Sequence, residues 1–564
     1  MQISYVDLAT GTARRETLAD PSAQLGGRHL TAHLLSSSVD PRCDALSGEN
    51  PLVFATGLLA DLRLSGADRL SVGAKSPLTG GIKESNSGGT FARALARLGH
   101  RALVLEGEAS DWTLLYLHAD GSRLELLPAY DLVGLDTSET VVHLARRFPE
   151  MAAAALIGPA GERRLRSAAV AVTDGGGAPN RFAARGGLGA VMGTKKVKAI
   201  VVERSAARPA VHDPSALTEL RGQYHDALRA NPTTADWFPT VGTAGMMVVV
   251  NGVGGLPVCN FSRGESELAD RVSGETLADL ILARGGEGRT GHPCAPGCVV
   301  RCSNVFPDAD GRAVVAPLEY ESIGMLGTNL GIFDLDTIAQ LNRVCNLEGL
   351  DTIEVGGALG VAMEAGYGTF GSGDDARRLL EEIREGTVLG MLLGNGAAVT
   401  GQVLGVRRVP VVKGQTISAY DPRAVKGTGV TFATTPMGGD HTAGLTIFAK
   451  MDHRAAAGQL EASRTSQLNR AGADALGLCS FHLAPVAGLL HQLVNAVHGT
   501  AHDETFVQDL GLRTIQTELD FNRRAGLPST SDRLPAFFCT EGLPPHGAVF
   551  DVPVEALEGF WHED

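Results

Sequence analysis

Cys294, Cys298 and Cys302 fall in one short segment, GHPCAPGCVVRCSN, in a chain of 564 residues with only 8 cysteines. Soft thiolates at such spacing select zinc or an iron–sulfur cluster. Zinc sites pair cysteines at C-x2–4-C with a second pair nearby, and no second pair follows. A [4Fe–4S] cube takes four thiolates, so three close cysteines and a remote fourth fit a cube better than a zinc knuckle. Structural thiols in a reducing compartment are the plain alternative. The remote candidates are Cys43, Cys259, Cys345, Cys479 and Cys539, and spacing does not choose among them. Cys345 lies in a helically periodic stretch, where a thiol reads as a small buried hydrophobe.

Two glycine-rich segments are the second feature. Ser76-Pro77-Leu78-Thr79-Gly80 runs on to Ser87-Gly88-Gly89, and Arg185-Gly186-Gly187-Leu188-Gly189 runs on to Gly193-Thr194-Lys195. Backbone without side chains can present N–H groups to phosphate or to a flat heterocycle. Neither segment is a P-loop or a dinucleotide loop in register, and a tight turn explains either one alone. Arg69 and Arg181, each upstream of one segment's end, raise the odds of an anionic ligand.

These residues need elements to hold them. Residues 1–205 read as strand-rich, with apolar or alternating runs at 52–55, 102–105, 112–117 and 199–202 between Gly, Asp, Asn and Pro turns. Helical patterns there are few, the best at 90–98 and 138–147. Residues 202–209 turn polar and Pro-bearing, which marks a boundary. Beyond it helical periodicity dominates. Asp213 is an N-cap with Pro214 just inside the helix, and 335–347, 374–385 and 486–497 carry apolar residues at i, i+3, i+4. A second boundary falls near 409. The expected fold is α+β: a β-rich domain over 1–205, a helical domain with the cysteine cluster over 206–408, and a helical C-terminal domain over 409–564. No repeat of 20–50 residues stands out.

Bulk composition narrows the function classes. Glycine is 71 of 564 residues and aromatics only 5%, against an average glycine share of roughly 7%. Net charge is −14, which lacks the footprint of a nucleic-acid or anionic-lipid binder. Eight cysteines are too sparse for a disulfide scaffold. No apolar run reaches the ~18 residues of a membrane span, and the first residues lack a signal pattern, so a cytoplasmic protein is expected.

Taken in order, a set of strings resembles the aldehyde:ferredoxin oxidoreductase family, the tungsten or molybdenum bis-pyranopterin enzymes. They are KSPLTG (75–80), NSGG (86–89), Glu106-Gly107, IGPAGE (157–162), RGGLGAVMGTKKVKAI (185–200), the cysteine segment, EYES (319–322), GLDTI (349–353), AYDPR (419–423), GGDH (438–441) and DALGLC (474–479). The resemblance runs along nearly the whole chain. It implies a β-rich base carrying two pterins, a metal held by pterin dithiolenes without a protein ligand, and a nearby [4Fe–4S] cluster. Electrons would pass to ferredoxin or a small iron–sulfur subunit, and the substrate would be an aldehyde or its acid.

Carried over by position, the cluster ligands are Cys294, Cys298 and Cys479. The family's usual first cysteine falls on Gly291, and Cys302 is the natural replacement, as in a subgroup reading PGCxxxCSN. The pterin motif DxxGL[CD] is intact at Asp474, Gly477, Leu478 and Cys479. Its other copy reads Asn346, Gly349, Leu350, Asp351, where Asn keeps a hydrogen-bonding oxygen but loses the charge. Asn86 and Arg181 match positions serving the pterin phosphates and a bridging Mg2+, Arg69 a phosphate contact, and Phe182 a backbone carbonyl. Ser87, Gly88, Gly89, Arg185, Gly186 and Gly187 are expected as close-approach backbone. The family's interfacial Glu-x-x-His iron pair falls on Gln340 and Arg343 and looks absent. Glu321 and His441 match the two side chains beside the metal: a buried carboxylate as general base and an imidazole donating to the substrate carbonyl. AYDPR also reads as a Pro-containing turn with an internal ion pair, and Tyr420, Asp421 and Arg423 are not assigned to the site.

Overall fold

The computed structural model describes residues 2–17 and 25–561. Its first part is built of twelve strands: β1 (Gln2–Asp7), β2 (Thr12–Thr17), β3 (Leu52–Thr56), β4 (Leu70–Lys75), β5 (Ile82–Ser87), β6 (His100–Glu106), β7 (Thr113–Leu117), β8 (Leu124–Pro128), β9 (Met151–Leu156), β10 (Val170–Val172), β11 (Arg181–Ala183) and β12 (Val197–Glu203). They form two six-stranded sheets, ordered β2-β1-β6-β3-β4-β5 and β11-β10-β9-β12-β7-β8. Read from its other edge, the second order is the first repeated. In each sheet the one parallel pair joins the first and sixth strands. The helices repeat too: Gly27–Ser38 and Thr137–Arg147 follow the second strand of each unit, and Phe91–Arg97 and Leu188–Thr194 follow the fifth. The section is thus a duplicated ββαβββαβ unit of about a hundred residues, a period longer than the short repeats sought in the sequence.

The sheets pack face to face through Val6, Leu52, Phe54, Leu70 and Val72 on one side and Leu115, Leu117, Ala153, Ala155, Val170 and Val172 on the other. The short helices Phe91–Arg97 and Leu188–Thr194 touch strands of both sheets. Burial of both faces explains the continuous apolar runs of β3, β6 and β12. Ser76–Gly80 is the turn between the fourth and fifth strands, whereas Gly88-Gly89 and Gly186-Gly187 both lie in the turn from fifth strand to helix and so occupy equivalent positions in the repeat.

From Pro214 the chain is mostly helical. Asp213 caps helix Pro214–Ala230, its carboxylate accepting from the Ser215 and Ala216 N–H groups at 3.0 and 2.9 Å. The expected helices appear as Leu335–Glu348 and Gly373–Glu385. The third, expected over 486–497, appears as Leu490–His498, starting late because a tight turn at Ala487–Leu489 separates it from helix Ser480–Val486. Pro485 and Gly488 interrupt the backbone hydrogen bonds that the apolar periodicity would otherwise support. Helix Gly27–Ser38, with no periodicity strong enough to announce it, packs against Gln459–Leu476 and Phe506–Arg524 near the other end of the chain. Among the described residues no single helix is long and apolar enough to cross a membrane.

Candidate active site and metal centre

A cavity of about 360 Å³ lies where the sheets meet the helices. Of the residues singled out from sequence, Arg69, Asn86, Ser87, Gly88, Arg181, Phe182, Cys294, Cys302, Glu321, Asn346, Leu350, His441, Asp474 and Cys479 line it. Cys298 is buried just behind, against Phe238 and Val300 and beside Cys302.

The thiols come from two places. The loop between strands Arg289–His292 and Ser303–Pro307 carries Cys294, Cys298 and Cys302, and Cys479 caps the start of helix Ser480–Val486. The Gly88-Gly89 turn anchors that loop. Gly89 N–H donates to the Cys294 carbonyl at 3.1 Å, and a side chain on Gly88 would come 3.3 Å from Cys294 Sγ. A hydrogen bond from Cys298, then the Arg181 and Arg69 charges, hold the Cys294 thiol below the usual range against the opposing effect of burial. Burial pushes Cys302 up, as do Glu319, Cys294 and Cys479. Cys43, Cys259, Cys345 and Cys539 are absent from the lining. No group of three His, Cys, Asp or Glu among the described residues surrounds a single ion, which a cube does not require, since each thiolate holds a different iron.

Both DxxGL strings are helix C-caps. Gly349 and Gly477 take left-handed backbone, φ 72° and 76°, the region glycine enters without a Cβ clash. Leu350 N–H reaches the Cys345 carbonyl at 2.8 Å and Leu478 N–H the Ala473 carbonyl at 2.9 Å, while Gly349 and Gly477 bond back to Asn346 and Asp474. This is the Schellman arrangement at both ends. The motif's spacing therefore places its first residue in the last helical turn, and Asn346 and Asp474 both reach the cavity wall.

Glu321 lies in the first turn of helix Tyr320–Leu326, and His441 follows the Gly438-Gly439 turn. Their side chains approach to 3.5 Å, His441 Nε2 to Glu321 Oε1. Ala419 N–H donates to Glu321 Oε2 at 2.9 Å. Burial raises the Glu321 carboxyl to about 8, with Ala419 and Arg185 opposing, and burial lowers the His441 imidazole to about 4. Burial thus favours the neutral form of each. Among the described residues Glu321 Oε1 has no hydrogen-bond partner.

Several sequence-named residues lie outside the lining. Gly89, Gly186, Gly187, Gly349, Gly477 and Leu478 shape backbone rather than wall: a side chain on Gly186 would meet Lys83 at 2.4 Å, and one on Gly187 the Arg166 carbonyl at 2.5 Å. Arg185 is mostly engaged within the protein, 3.2 Å from Asp351 and 2.6 Å from the Gly439 carbonyl, with only its Nε lacking a hydrogen-bond partner among the described residues. Asp351 in turn caps helix Thr352–Glu364. Gln340 and Arg343 line a separate surface pocket.

Sequence reasoning passed over other wall residues. Tyr420 lines the cavity, its ring centroid 5.9 Å from that of His441, while Asp421 and Arg423 form the internal ion pair at 2.7 Å. Glu319, Thr243 and Arg470 also line it. Arg470 stands one helical turn before Asp474, so i, i+4 spacing was the available signal.

The donor set suits a thiolate-held cluster beside an anionic cofactor. Arg181 has Nε and one Nη buried with no partner, and its other Nη is 3.0 Å from Ser303. Such orphaned charge asks for an anion.

The family described as Aldehyde ferredoxin oxidoreductase, N-terminal domain, matches residues 3–204; Aldehyde ferredoxin oxidoreductase, domains 2 & 3, matches residues 219–562. The tungsten-containing aldehyde ferredoxin oxidoreductase of Pyrococcus furiosus is 33% identical over 567 residues, covering 96% of this chain and 91% of the relative. An aliphatic sulfonate oxidoreductase, WOR-like subunit, of the same organism is 26% identical over 537 residues, covering 87% of this chain and 81% of the relative. The fold is shared with the active site complex BamBC of benzoyl coenzyme A reductase, at TM-score 0.80 and 21% identity, over 95% of this chain and 90% of that one. Duplicated sheets, paired helix caps and a thiol-lined cavity thus carry a sequence match from end to end, and the chain, an oxidoreductase, belongs to the aldehyde ferredoxin oxidoreductase family.

Proposed function

We propose that the chain oxidises an aldehyde to the carboxylic acid, or runs the reverse, with ferredoxin or a small iron–sulfur subunit taking the electrons. The balance is RCHO + H2O → RCOOH + 2 H+ + 2 e−. When bound, a tungsten or molybdenum bis-pyranopterin would supply a two-electron acceptor, and Cys294, Cys298, Cys302 and Cys479 would hold a [4Fe–4S] cluster able to pass electrons singly. Asn346 and Asp474 would grip the pterins, and Arg69, Asn86 and Arg181 their phosphates with Mg2+.

The observation that carries the reading is the Glu321–His441 pair, 3.5 Å apart on the wall shared with Cys294, Cys302 and Cys479. Ionised Glu321 takes a proton from the attacking water, and His441 donates a hydrogen bond to the carbonyl oxygen.

The test is anaerobic purification followed by metal analysis and aldehyde-dependent reduction of a viologen dye. Tungsten or molybdenum, iron, and dye reduction are expected; protein without them sinks the proposal. A second reading is a low-potential reductase subunit of a larger complex with a non-aldehyde substrate. Asn346 in place of the usual Asp and the likeness to a WOR-like subunit favour it. Metal-loaded protein that co-purifies with small iron–sulfur proteins and ignores aldehydes would select it.

A further inference from the structure

We propose that Ser418 is a positioning residue that holds the His441 imidazole with its proton on Nε2, facing the cavity. The proposal deepens the reading of His441 as hydrogen-bond donor and, for its kinetic part, rests on it.

Ser418 is fully buried. Its Oγ lies 2.8 Å from His441 Nδ1 and accepts from the His441 backbone N–H at 3.3 Å. Among the described residues it has no other side-chain partner. A hydroxyl has one proton to give. Given to Nδ1, that proton is satisfied and Nδ1 must be bare. Were Nδ1 protonated, Oγ would accept twice and its own proton would be buried without an acceptor, which native structures avoid. The competing acceptor is Asp440, whose Oδ1 is 4.0 Å from Nδ1. That oxygen is already engaged by the Thr442 N–H and hydroxyl at 2.9 and 2.8 Å, and Oδ2 pairs with the buried Lys83. The network therefore places the imidazole proton on Nε2.

Nε2 is the nitrogen that faces Glu321 Oε1 and the cavity. With a proton there, His441 donates to an oxygen of the substrate and cannot serve as the base. Glu321 is left as the proton acceptor, held through Oε2 by the next residue's N–H, that of Ala419. Two consecutive residues thus divide the roles: the Ser418 hydroxyl sets the donor and the Ala419 amide sets the acceptor.

Neutron diffraction from deuterium-exchanged crystals of the holoenzyme reads the proton directly. Deuterium on His441 Nε2, with the Ser418 deuteroxyl aimed at Nδ1, is expected; deuterium on Nδ1 overturns the proposal. Kinetics supply a second readout. Ser418→Ala should lower kcat about 100-fold with KM within about twofold and metal and cluster content unchanged, and Ser418→Thr, which keeps the hydroxyl, should restore kcat to within about threefold. Equal losses in both variants, or no loss in either, overturn it. If the unaltered enzyme oxidises no aldehyde, the reading of the reaction fails while the neutron map still decides the tautomer.

Discussion

Glu321 and His441 are displaced in opposite directions by one cause, burial, which disfavours the charged form of each. The proposed base therefore works against its environment, and its ionised fraction grows only as pH rises through about 8. The rate with a saturating aldehyde should climb through that range, and Glu321→Gln should abolish the limb with a loss of roughly 100-fold or more. A pH–rate profile of both proteins checks this. The stability sign follows from the same shift. A carboxyl raised from 4.5 to about 8 favours the fold most below 4.5, and that contribution is lost as pH rises through about 8. Glu321→Gln, which cannot ionise, should then hold its unfolding midpoint better than the unaltered protein above pH 8.

The two helix caps are matched by two glycines of the sheet section. A side chain on Gly158 would lie 2.3 Å from the Glu348 carbonyl oxygen, and one on Gly57 would lie 2.2 Å from Gly477 N and the Leu476 carbonyl oxygen. The contacts around them are alike as well: Ala169 N–H donates to the Gly349 carbonyl at 2.8 Å, and Arg69 N–H to the Gly477 carbonyl at 3.0 Å. Each repeat of the base therefore seats one helix end, and the seat is backbone on backbone, where no side chain can give way. Cys479 N–H, donating to the Gly66 carbonyl at 2.7 Å, belongs to the same crossing. Gly57→Val should push that helix end off its seat and move Cys479 and Arg69 together. The expected result is loss of most of the cluster's visible absorbance from protein that still expresses; an unchanged spectrum with full iron content would show that the crossing does not set the ligand.

The molecule as a whole is closed by charges that sequence distance hides. Arg28 is buried with both its ends engaged: Glu518 accepts from Nε and Nη2 at 2.8 Å each, and Asp474 lies 3.5 Å from Nη1. This ties helix Gly27–Ser38 to helix Phe506–Arg524 and to the cavity wall. Glu518→Ala would strand most of a buried guanidinium, a change that costs about 3 kcal/mol or more. The thermal midpoint should fall clearly, and Arg28→Met with Glu518→Met should recover most of the loss because it removes both charges. The local features of this protein were legible in its amino acids. The strands and helices with clean periodicity, the Asp213 cap, the cysteine cluster and the glycine-rich turns all follow from spacing, since backbone geometry reads spacing directly. Spacing alone fell short at two places: the helix expected over 486–497 begins only at Leu490, after the turn holding Gly488, and Gly27–Ser38, which packs on Gln459–Leu476 and Phe506–Arg524, had no clear periodicity. The ordered motifs named the family, but not which glycines face the cavity and which only let backbone pass. That Arg185 pairs with Asp351 while Arg181 keeps only Ser303 and leaves two buried nitrogens unpartnered among the described residues, that Tyr420 and Arg470 join the wall, and that Ser418 meets His441 were decided by the tertiary structure alone. Sequence specifies which groups exist and what local shape carries them; only packing brings groups hundreds of residues apart within hydrogen-bond reach and determines which charges are already paired there.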